Sequence, residues 1–387
     1  MTVKIEDYFP RATFQKMKAF ADQHETPFVV IDTETISKAY DDLRAGFEFA
    51  KVYYAVKANP AVEIIDLLRD KGSSFDIASI YELDKVMSRG VGPERISYGN
   101  TIKKSRDIRY FFEKGVRMFA TDSEADLRNI AKAAPGAKVY VRILTEGSTT
   151  ADWPLSRKFG CQTDMAMDLL ILARQLGLEP YGISFHVGSQ QRDISVWDAA
   201  IAKVKVIFER LKEEDGIELK MINMGGGFPA NYITRTNSLE TYAEEIIRFL
   251  KEDFGDDLPE IILEPGRSLI ANAGILVSEV VLVARKSRTA VERWVYVDVG
   301  KFSGLIETMD ESIKFPIYTE KKGEVEEVVI AGPTCDSADI MYENYKYGLP
   351  LNLAIGDRLY WLSTGAYTTS YSAVEFNGFP PLKAYYI

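Results

Sequence analysis

Lys51-Val-Tyr-Tyr-Ala-Val-Lys-Ala-Asn-Pro60 is the stretch on which the reading of this chain turns. Val52 to Val56 is a continuous apolar run, the pattern of a strand covered on both faces rather than a half-exposed one. Asn59-Pro60 stops it, because proline has no N–H to give a ladder. That leaves Lys57 at the end of a buried strand, expected in a partly dry environment. Such surroundings disfavour the ammonium form and favour a nucleophilic amine, able to form a Schiff base with an aldehyde. A solvated lysine at a strand end is the alternative, since lysines are mostly exposed.

Around this stretch a rhythm develops. Strand-like runs occur at 52–56, 74–78, 96–98, 117–120, 138–143, 182–187, 219–224 and 260–264. Segments of helical spacing separate them, among them Ala61–Lys71, Ile80–Arg89, Ser123–Ala134, Thr163–Leu176, Trp197–Glu213 and Leu239–Phe254. Eight strand–helix units in about 220 residues match a (β/α)8 barrel, with an open doubly wound sheet as the alternative. After residue 268 the runs Ile275–Arg285, Trp294–Val299, Glu326–Ile330, Arg358–Leu362 and Leu382–Ile387 are β-branched and aromatic with few helices between them. This predicts a barrel over 34–268, followed by a mostly antiparallel β domain over 269–387 to which residues 1–33 contribute a strand, Thr26–Asp32.

Composition excludes several classes. The chain has 387 residues, 46% of them hydrophobic and 27% charged, as expected of a soluble globular protein. A net charge of −10 argues against nucleic acid or an anionic membrane as partner. No apolar run reaches the ~18 residues of a membrane span, and the first residues lack a signal-peptide core. Two cysteines, Cys161 and Cys335, form no disulfide framework, so a reducing cytoplasm is the expected location. With His24 and His186 as the two histidines, a multi-histidine metal site is excluded and no metal is expected.

In barrels of this kind functional groups gather at the C-terminal strand ends. Those positions hold Lys57, Asp76, Arg142, His186, Gly225-Gly226-Gly227, and Glu264 with Arg267. The glycines let backbone N–H groups converge on an anion, although a tight turn without a ligand explains them equally. Arg267 offers that anion a cation, or simply a salt bridge to Glu264. His186 supplies a planar ring, or a satisfied core histidine.

Together these segments resemble one family. Tyr-Ala-Val-Lys-Ala-Asn, Phe-Asp-Ile-Ala-Ser, His-Val-Gly-Ser, Gly-Gly-Gly-Phe-Pro, Glu-Pro-Gly-Arg, Gly-Pro-Thr-Cys-Asp-Ser and Phe-Asn-Gly-Phe occur here in the order found in ornithine decarboxylases of the alanine-racemase-like, pyridoxal-phosphate-dependent fold. The likeness runs from about residue 25 to the C-terminus.

The resemblance implies roles. Lys57 holds pyridoxal 5′-phosphate covalently until the substrate amine displaces it, and Asp76 positions that lysine. His186 stacks on the cofactor ring, with Arg142 below it near the phenolic oxygen. Ser189, Gly225, Gly226, Gly227, Gly266, Arg267 and Tyr367 surround the phosphate. Glu264 keeps the pyridine nitrogen protonated, which favours decarboxylation; alanine racemases of the same fold place an arginine there. Cys335, otherwise readable as an inert thiol, protonates Cα after CO2 leaves. Asp336 and Asp310 receive the distal ammonium of a diamino acid, Asp310 being readable also as a solvated surface acid. Phe376 lines the entrance near the substrate carboxylate. Lys158 pairs with Asp339 across a homodimer whose sites are shared.

The expected activity is L-ornithine decarboxylation to putrescine in polyamine synthesis. Lysine, one methylene longer, is the nearest competing substrate. Diaminopimelate suits an acidic pocket poorly, and a non-catalytic homologue would lack several of the groups just named. Lys301, where eukaryotic relatives usually carry tyrosine, and the absence of a long C-terminal extension suggest a bacterial-type member.

Overall fold

The computed structural model describes residues 3–145, 150–153 and 158–387. The chain divides into two compact units, one comprising Ala39–Pro229 with Asn237–Gly266, the other Met1–Lys38, Ala230–Thr236 and Arg267–Ile387. The short excursion 230–236 belongs with the second unit although its sequence neighbours lie in the first.

Strand β1 (Phe28–Ile31) belongs to the second unit; the first is built on β2 (Ala50–Ala55), β3 (Ser74–Ile77), β4 (Ile96–Tyr98), β5 (Met118–Thr121), β6 (Lys138–Arg142), β7 (Glu179–Ser184), β8 (Met221–Asn223) and β9 (Glu260–Leu263). Each of these eight pairs in parallel with the next, and β9 closes on β2 with Ile262 opposite Lys51. Closure removes the doubly wound alternative and leaves no sheet edge to protect. Helices follow the strands as expected, among them Ser105–Glu113 between β4 and β5.

The pleat decides what reaches the barrel mouth. Tyr53, Tyr140, Met221 and Ile262 pack inside the barrel with Met118, Ala120 and Tyr181. Side chains two residues further along a strand share that face, which brings Ala55, Arg142, Asn223 and Glu264 to the C-terminal rim. On β3, Asp76 lies opposite Ala55 and Ser97. The interior is rich in tyrosine, and such rings stay buried cheaply when the hydroxyl finds a partner. Ser97 Oγ and Tyr140 Oη lie 2.8 Å apart, and Tyr181 Oη donates to Glu260 at 3.0 Å. Strand β7 begins and ends about three residues before the apolar run suggested, and the Phe185 N–H makes a last bond to the Asn223 carbonyl of the neighbouring strand at 3.0 Å. His186 therefore sits on a loop beyond the strand.

The second unit is a mostly antiparallel eight-stranded sheet among the described residues. Its centre is the long strand β10 (Gly274–Ala284), flanked by β1 and β15 (Arg358–Leu362) at one end and by β11 (Arg293–Val297) at the other. Strands β12 (Ile317–Tyr318), β13 (Val325–Ala331), β14 (Ile340–Pro350) and β16 (Lys383–Tyr386) complete it, with β1–β16 and β11–β13 the parallel pairs. The eleven residues of β14 were not anticipated. Its Tyr-Glu-Asn-Tyr-Lys-Tyr run mixes polar and aromatic residues without clean alternation. The helix Arg11–Ala21 packs Phe14, Met17 and Ala21 on Phe28, Val30, Ile275, Val277 and Leu362. No helix among the described residues is long and apolar enough to cross a membrane.

Candidate active site

At the barrel mouth a cavity of about 170 Å³ is lined by Lys57, Asp76, Glu82, Asn100, Arg142 and Phe159, among others. Lys57 leaves β2 on a single 3-10 turn, Val56–Ala58, which lifts its side chain into the open mouth. The residue is exposed rather than partly dry. Asn59 ends this turn by accepting the Ala61 N–H on Oδ1 at 3.2 Å.

Asp76 is half-buried, and its Oδ1 is sheltered from solvent without a hydrogen-bond partner among the described residues. Gly99 makes room for it, since a Cβ there would lie 1.9 Å from Oδ1. Burial first, then the neighbouring Glu264, push the Asp76 carboxyl well above its ordinary range, while Lys57 and Arg142 act against them. Glu264 is raised by burial too, opposed by Asn223, Lys57 and Arg142. Two carboxylates and two cations therefore share one poorly solvated mouth, an arrangement that favours proton holding at a chosen atom. Arg142 lies 5.0 Å from the Phe159 ring, and burial lowers its pKa. It remains a cation regardless.

Sequence reading passed over Asn223, which organises the rim. Its Nδ2 donates to Glu264 Oε1 at 2.5 Å and its Oδ1 accepts the Gly225 N–H at 2.9 Å. The glycine triplet is tight packing as much as anion cradle. Gly225 and Gly227 have φ of +64° and +102°, and a Cβ on either would meet the Phe185 or Gly188 carbonyl oxygen at 2.5 and 2.7 Å. The Gly225 N–H is committed to Asn223, whereas those of Gly226 and Gly227 have no acceptor among the described residues. Ser189 begins a short strand, Ser189–Gln191, paired with Ala151–Trp153. Gly266 is held close to Ala58, where a Cβ would come within 2.9 Å.

His186 Nδ1 accepts the Gly188 N–H at 3.0 Å, which leaves its proton on Nε2. Burial, then Arg142 and Lys57, depress its pKa well below the ordinary value, so the ring is neutral. Glu82 was also missed. It occupies the third position after the helix cap Ser79, whose side chain accepts the Glu82 N–H, and its carboxylate returns to the Ala78 N–H at 2.7 Å. That reciprocal cap aims an acid at the cavity.

The second unit carries the remaining expected residues. Arg267, read as a phosphate cation or a partner of Glu264, is paired with Glu307. Its guanidinium is buried and grips Glu307 with two bonds of 2.7 and 2.5 Å, with Tyr232 Oη at 2.9 Å. Tyr367, at φ +55°, lies with its ring 4.8 Å from that guanidinium. Cys335 and Asp336 are exposed, the Cys335 N–H bonded to Asn377 Oδ1 at 2.9 Å. The Phe376 ring lies against that of Phe302, with centroids 4.8 Å apart and planes tilted by 46°. Asp310 is exposed.

Asp339, expected at a subunit contact, is 2% exposed and fully engaged inside its own chain. It accepts the Lys301 N–H at 2.8 Å and the Thr334 N–H and hydroxyl at 3.1 and 2.7 Å. Lys158 is exposed, 5.1 Å from the Phe159 ring.

Residues 33–271 match the family model described as the pyridoxal-dependent decarboxylase, pyridoxal binding domain. The chain is 33% identical over 370 residues to a lysine/ornithine decarboxylase of Selenomonas ruminantium, covering 95% of this chain and 91% of that protein. It is 30% identical over 380 residues to an ornithine decarboxylase of Saccharomyces cerevisiae, covering 92% and 79%. Among solved structures, SrLDC in complex with PLP and cadaverine superposes with a TM-score of 0.87 at 31% identity, covering 96% and 93%.

Proposed function

Because the chain belongs to the pyridoxal-dependent decarboxylase family, we propose that it removes CO2 from L-ornithine to give putrescine, a step of polyamine synthesis in the cytoplasm. Pyridoxal phosphate is the cofactor. The rim suits it, with an amine at Lys57, an unpartnered Asp76 oxygen, and two unspent N–H groups at Gly226 and Gly227. The observation that carries the reading is Glu264, an acid of raised pKa fixed by Asn223 at the end of a barrel strand.

When bound, the cofactor supplies an electron sink for the pair released as CO2 departs. The protein's residues do the rest. Lys57 Nζ is the attachment point, and Asp76 holds that amine in place. Gly226, Gly227 and Ser189, with Gly266, Arg267 and Tyr367, would bind the phosphate. Glu264 would keep a proton on the ring nitrogen, Arg142 would hold the phenolic oxygen, and neutral His186 would offer the ring a flat face. The bond from Cα to the carboxylate carbon breaks, CO2 leaves past the apolar wall at Phe376, and Cys335 Sγ–H delivers its proton to Cα. Asp336 and Asp310 receive the distal ammonium.

Turnover of both ornithine and lysine is the second reading, favoured by the 33% identity to the Selenomonas enzyme. One methylene is worth only ~1–3 kcal/mol in a pocket. The test is CO2 release by cofactor-loaded protein with L-ornithine, L-lysine, L-arginine and meso-diaminopimelate, compared as kcat/KM. Ornithine is expected to exceed lysine by roughly 10–200-fold, with diaminopimelate repelled by Asp310 and Asp336. Comparable lysine turnover makes the enzyme dual; release from none of the four overturns the proposal.

We also propose a homodimer in which Cys335 of one copy serves the barrel of the other. Mixed Lys57→Ala and Cys335→Ala subunits should then recover about a quarter of wild-type activity, as random exchange leaves one intact site in half of the molecules. No recovery after verified exchange rejects the sharing.

A further inference from the structure

Thr334 and Cys335 are consecutive, and the amide of each is held by a side chain from elsewhere in the second unit. The Thr334 N–H bonds Asp339 Oδ2 at 3.1 Å, and the Cys335 N–H bonds Asn377 Oδ1 at 2.9 Å. The loop that bears them closes on itself, the Gly332 N–H donating to the Asp339 carbonyl at 2.8 Å. These contacts join into a ring. Asp339 also accepts the Lys301 N–H; Phe302, next in the chain, lies against Phe376, and Phe376 precedes Asn377. A bond from the Ala373 N–H to the Phe302 carbonyl at 2.8 Å fastens the two segments together.

Asn377 closes that ring, and its residue type meets two demands. Its backbone is left-handed, with φ +53° and ψ +21°, between Glu375 at φ +55° and Gly378 at φ +77°. Asparagine adopts that conformation more readily than most side chains. Glycine would adopt it more readily still, but glycine brings no acceptor. A backbone N–H can only donate, so the oxygen of the Asn377 amide is the atom that faces Cys335. Both residues are exposed, and the bond spans 42 positions of sequence. A single exposed bond adds little to global stability. Its effect is local: it fixes the backbone of residue 335 and so limits where the thiol can point.

We propose that Asn377 is a positioning residue that aims the Cys335 thiol, and that it acts after CO2 has left. The inference rests on Cys335 protonating Cα. In that step Cα keeps the electron pair of the broken bond, Sγ–H supplies the proton, and water reprotonates the thiolate. A proton that arrives from water at the cofactor's aldehyde carbon instead leaves the nitrogen on the cofactor after hydrolysis, and an aldehyde replaces the amine. One CO2 is released either way. A misaimed thiol therefore shows in the products rather than in substrate binding.

The test uses cofactor-loaded wild type, Asn377→Gly, Asn377→Asp, Cys335→Ala and the Cys335→Ala/Asn377→Gly double variant, with whichever of L-ornithine and L-lysine turns over faster. CO2, amine and aldehyde are counted, and hydrogen exchange is followed at single amides. Asn377→Gly keeps the left-handed turn and removes only the acceptor, so folding is not at stake. It should raise the aldehyde share of product at least about tenfold and leave KM within about twofold. Exchange of the Cys335 amide should quicken about fivefold, with the Thr334 amide unchanged. Asn377→Asp retains an acceptor and should return both readouts to within about twofold of wild type. In the Cys335→Ala background the loss of Asn377 should change the aldehyde share by less than about twofold, because groups acting through one contact are not additive. A wild-type aldehyde share in Asn377→Gly, unchanged exchange at Cys335, or more aldehyde from the double variant than from Cys335→Ala overturns the inference and leaves the Cys335 reading intact. A wild-type share in Cys335→Ala removes that reading, and the inference falls with it.

Discussion

Lys57→Ala should lower kcat/KM by at least about 10³-fold and abolish the near-visible absorbance of the cofactor-loaded protein, with folding unaffected. The side chain is exposed at a barrel mouth, where a truncation typically shifts stability by no more than about 0.5 kcal/mol. Any large loss of activity is therefore chemical. Two explanations compete, because Lys57 is also a cation facing Asp76 and Glu264. Lys57→Arg separates them. Arginine keeps the positive charge, but its guanidinium is not deprotonated in proteins and cannot serve as the nucleophile. Equal losses in both variants, with partial recovery on adding methylamine, identify the amine as the attachment point. An arginine variant within tenfold of wild type would make Lys57 an electrostatic partner and remove the covalent assignment.

The barrel was legible because its signal is local and repeated. Eight apolar runs separated by helical spacing leave few alternatives, and closure of β9 on β2 follows from their number. The rim could have been read further. Counting in twos from Met221 and Ile262 leads to Asn223 and Glu264, and the pair they form at 2.5 Å needed only the pleat to be anticipated. Glu82 had a signal too, in the Ser79-to-Glu82 spacing of a helix cap. Other residues were illegible in principle. The partner of Arg267 is forty positions away, and nothing near Glu307 marks it as buried. Asp339 looks like a surface acid until Lys301 and Thr334 fold onto it, with Gly300 and Gly332 leaving no space for a Cβ beside it. Strand β14 hides its period because residues 343–345 bulge to serve Glu311. The Arg267–Glu307 and Lys301–Asp339 contacts join residues 40 and 38 positions apart, where sequence spacing carries no information.

Glu307→Gln should produce the largest stability loss of any single polar substitution considered. Arg267 and Glu307 are each 3% exposed, so their charges are paired out of water. Removing one charge strands the other, at a cost of about 3–5 kcal/mol. Glutamine retains one acceptor oxygen for the guanidinium, and Tyr232 Oη another, yet neither neutralises it. The expected result is a lower urea midpoint at unchanged slope. The pair as a whole is a different matter, since replacing both members by apolar residues removes the desolvation penalty along with the attraction. Arg267→Met/Glu307→Leu should recover most of the lost stability. The double variant also decides what the guanidinium does for the cofactor. If Arg267 acts only as the partner of Glu307, the double variant binds pyridoxal phosphate within a few-fold of wild type, measured by absorbance titration. A loss of cofactor affinity of about 100-fold or more in a folded, stable double variant would return Arg267 to the phosphate site, since a charge-assisted bond to an anion is worth about 1.5–3 kcal/mol. The bidentate grip on Glu307 and the bond to Tyr232 occupy three of the five guanidinium N–H groups, so the titration decides whether the others serve the phosphate.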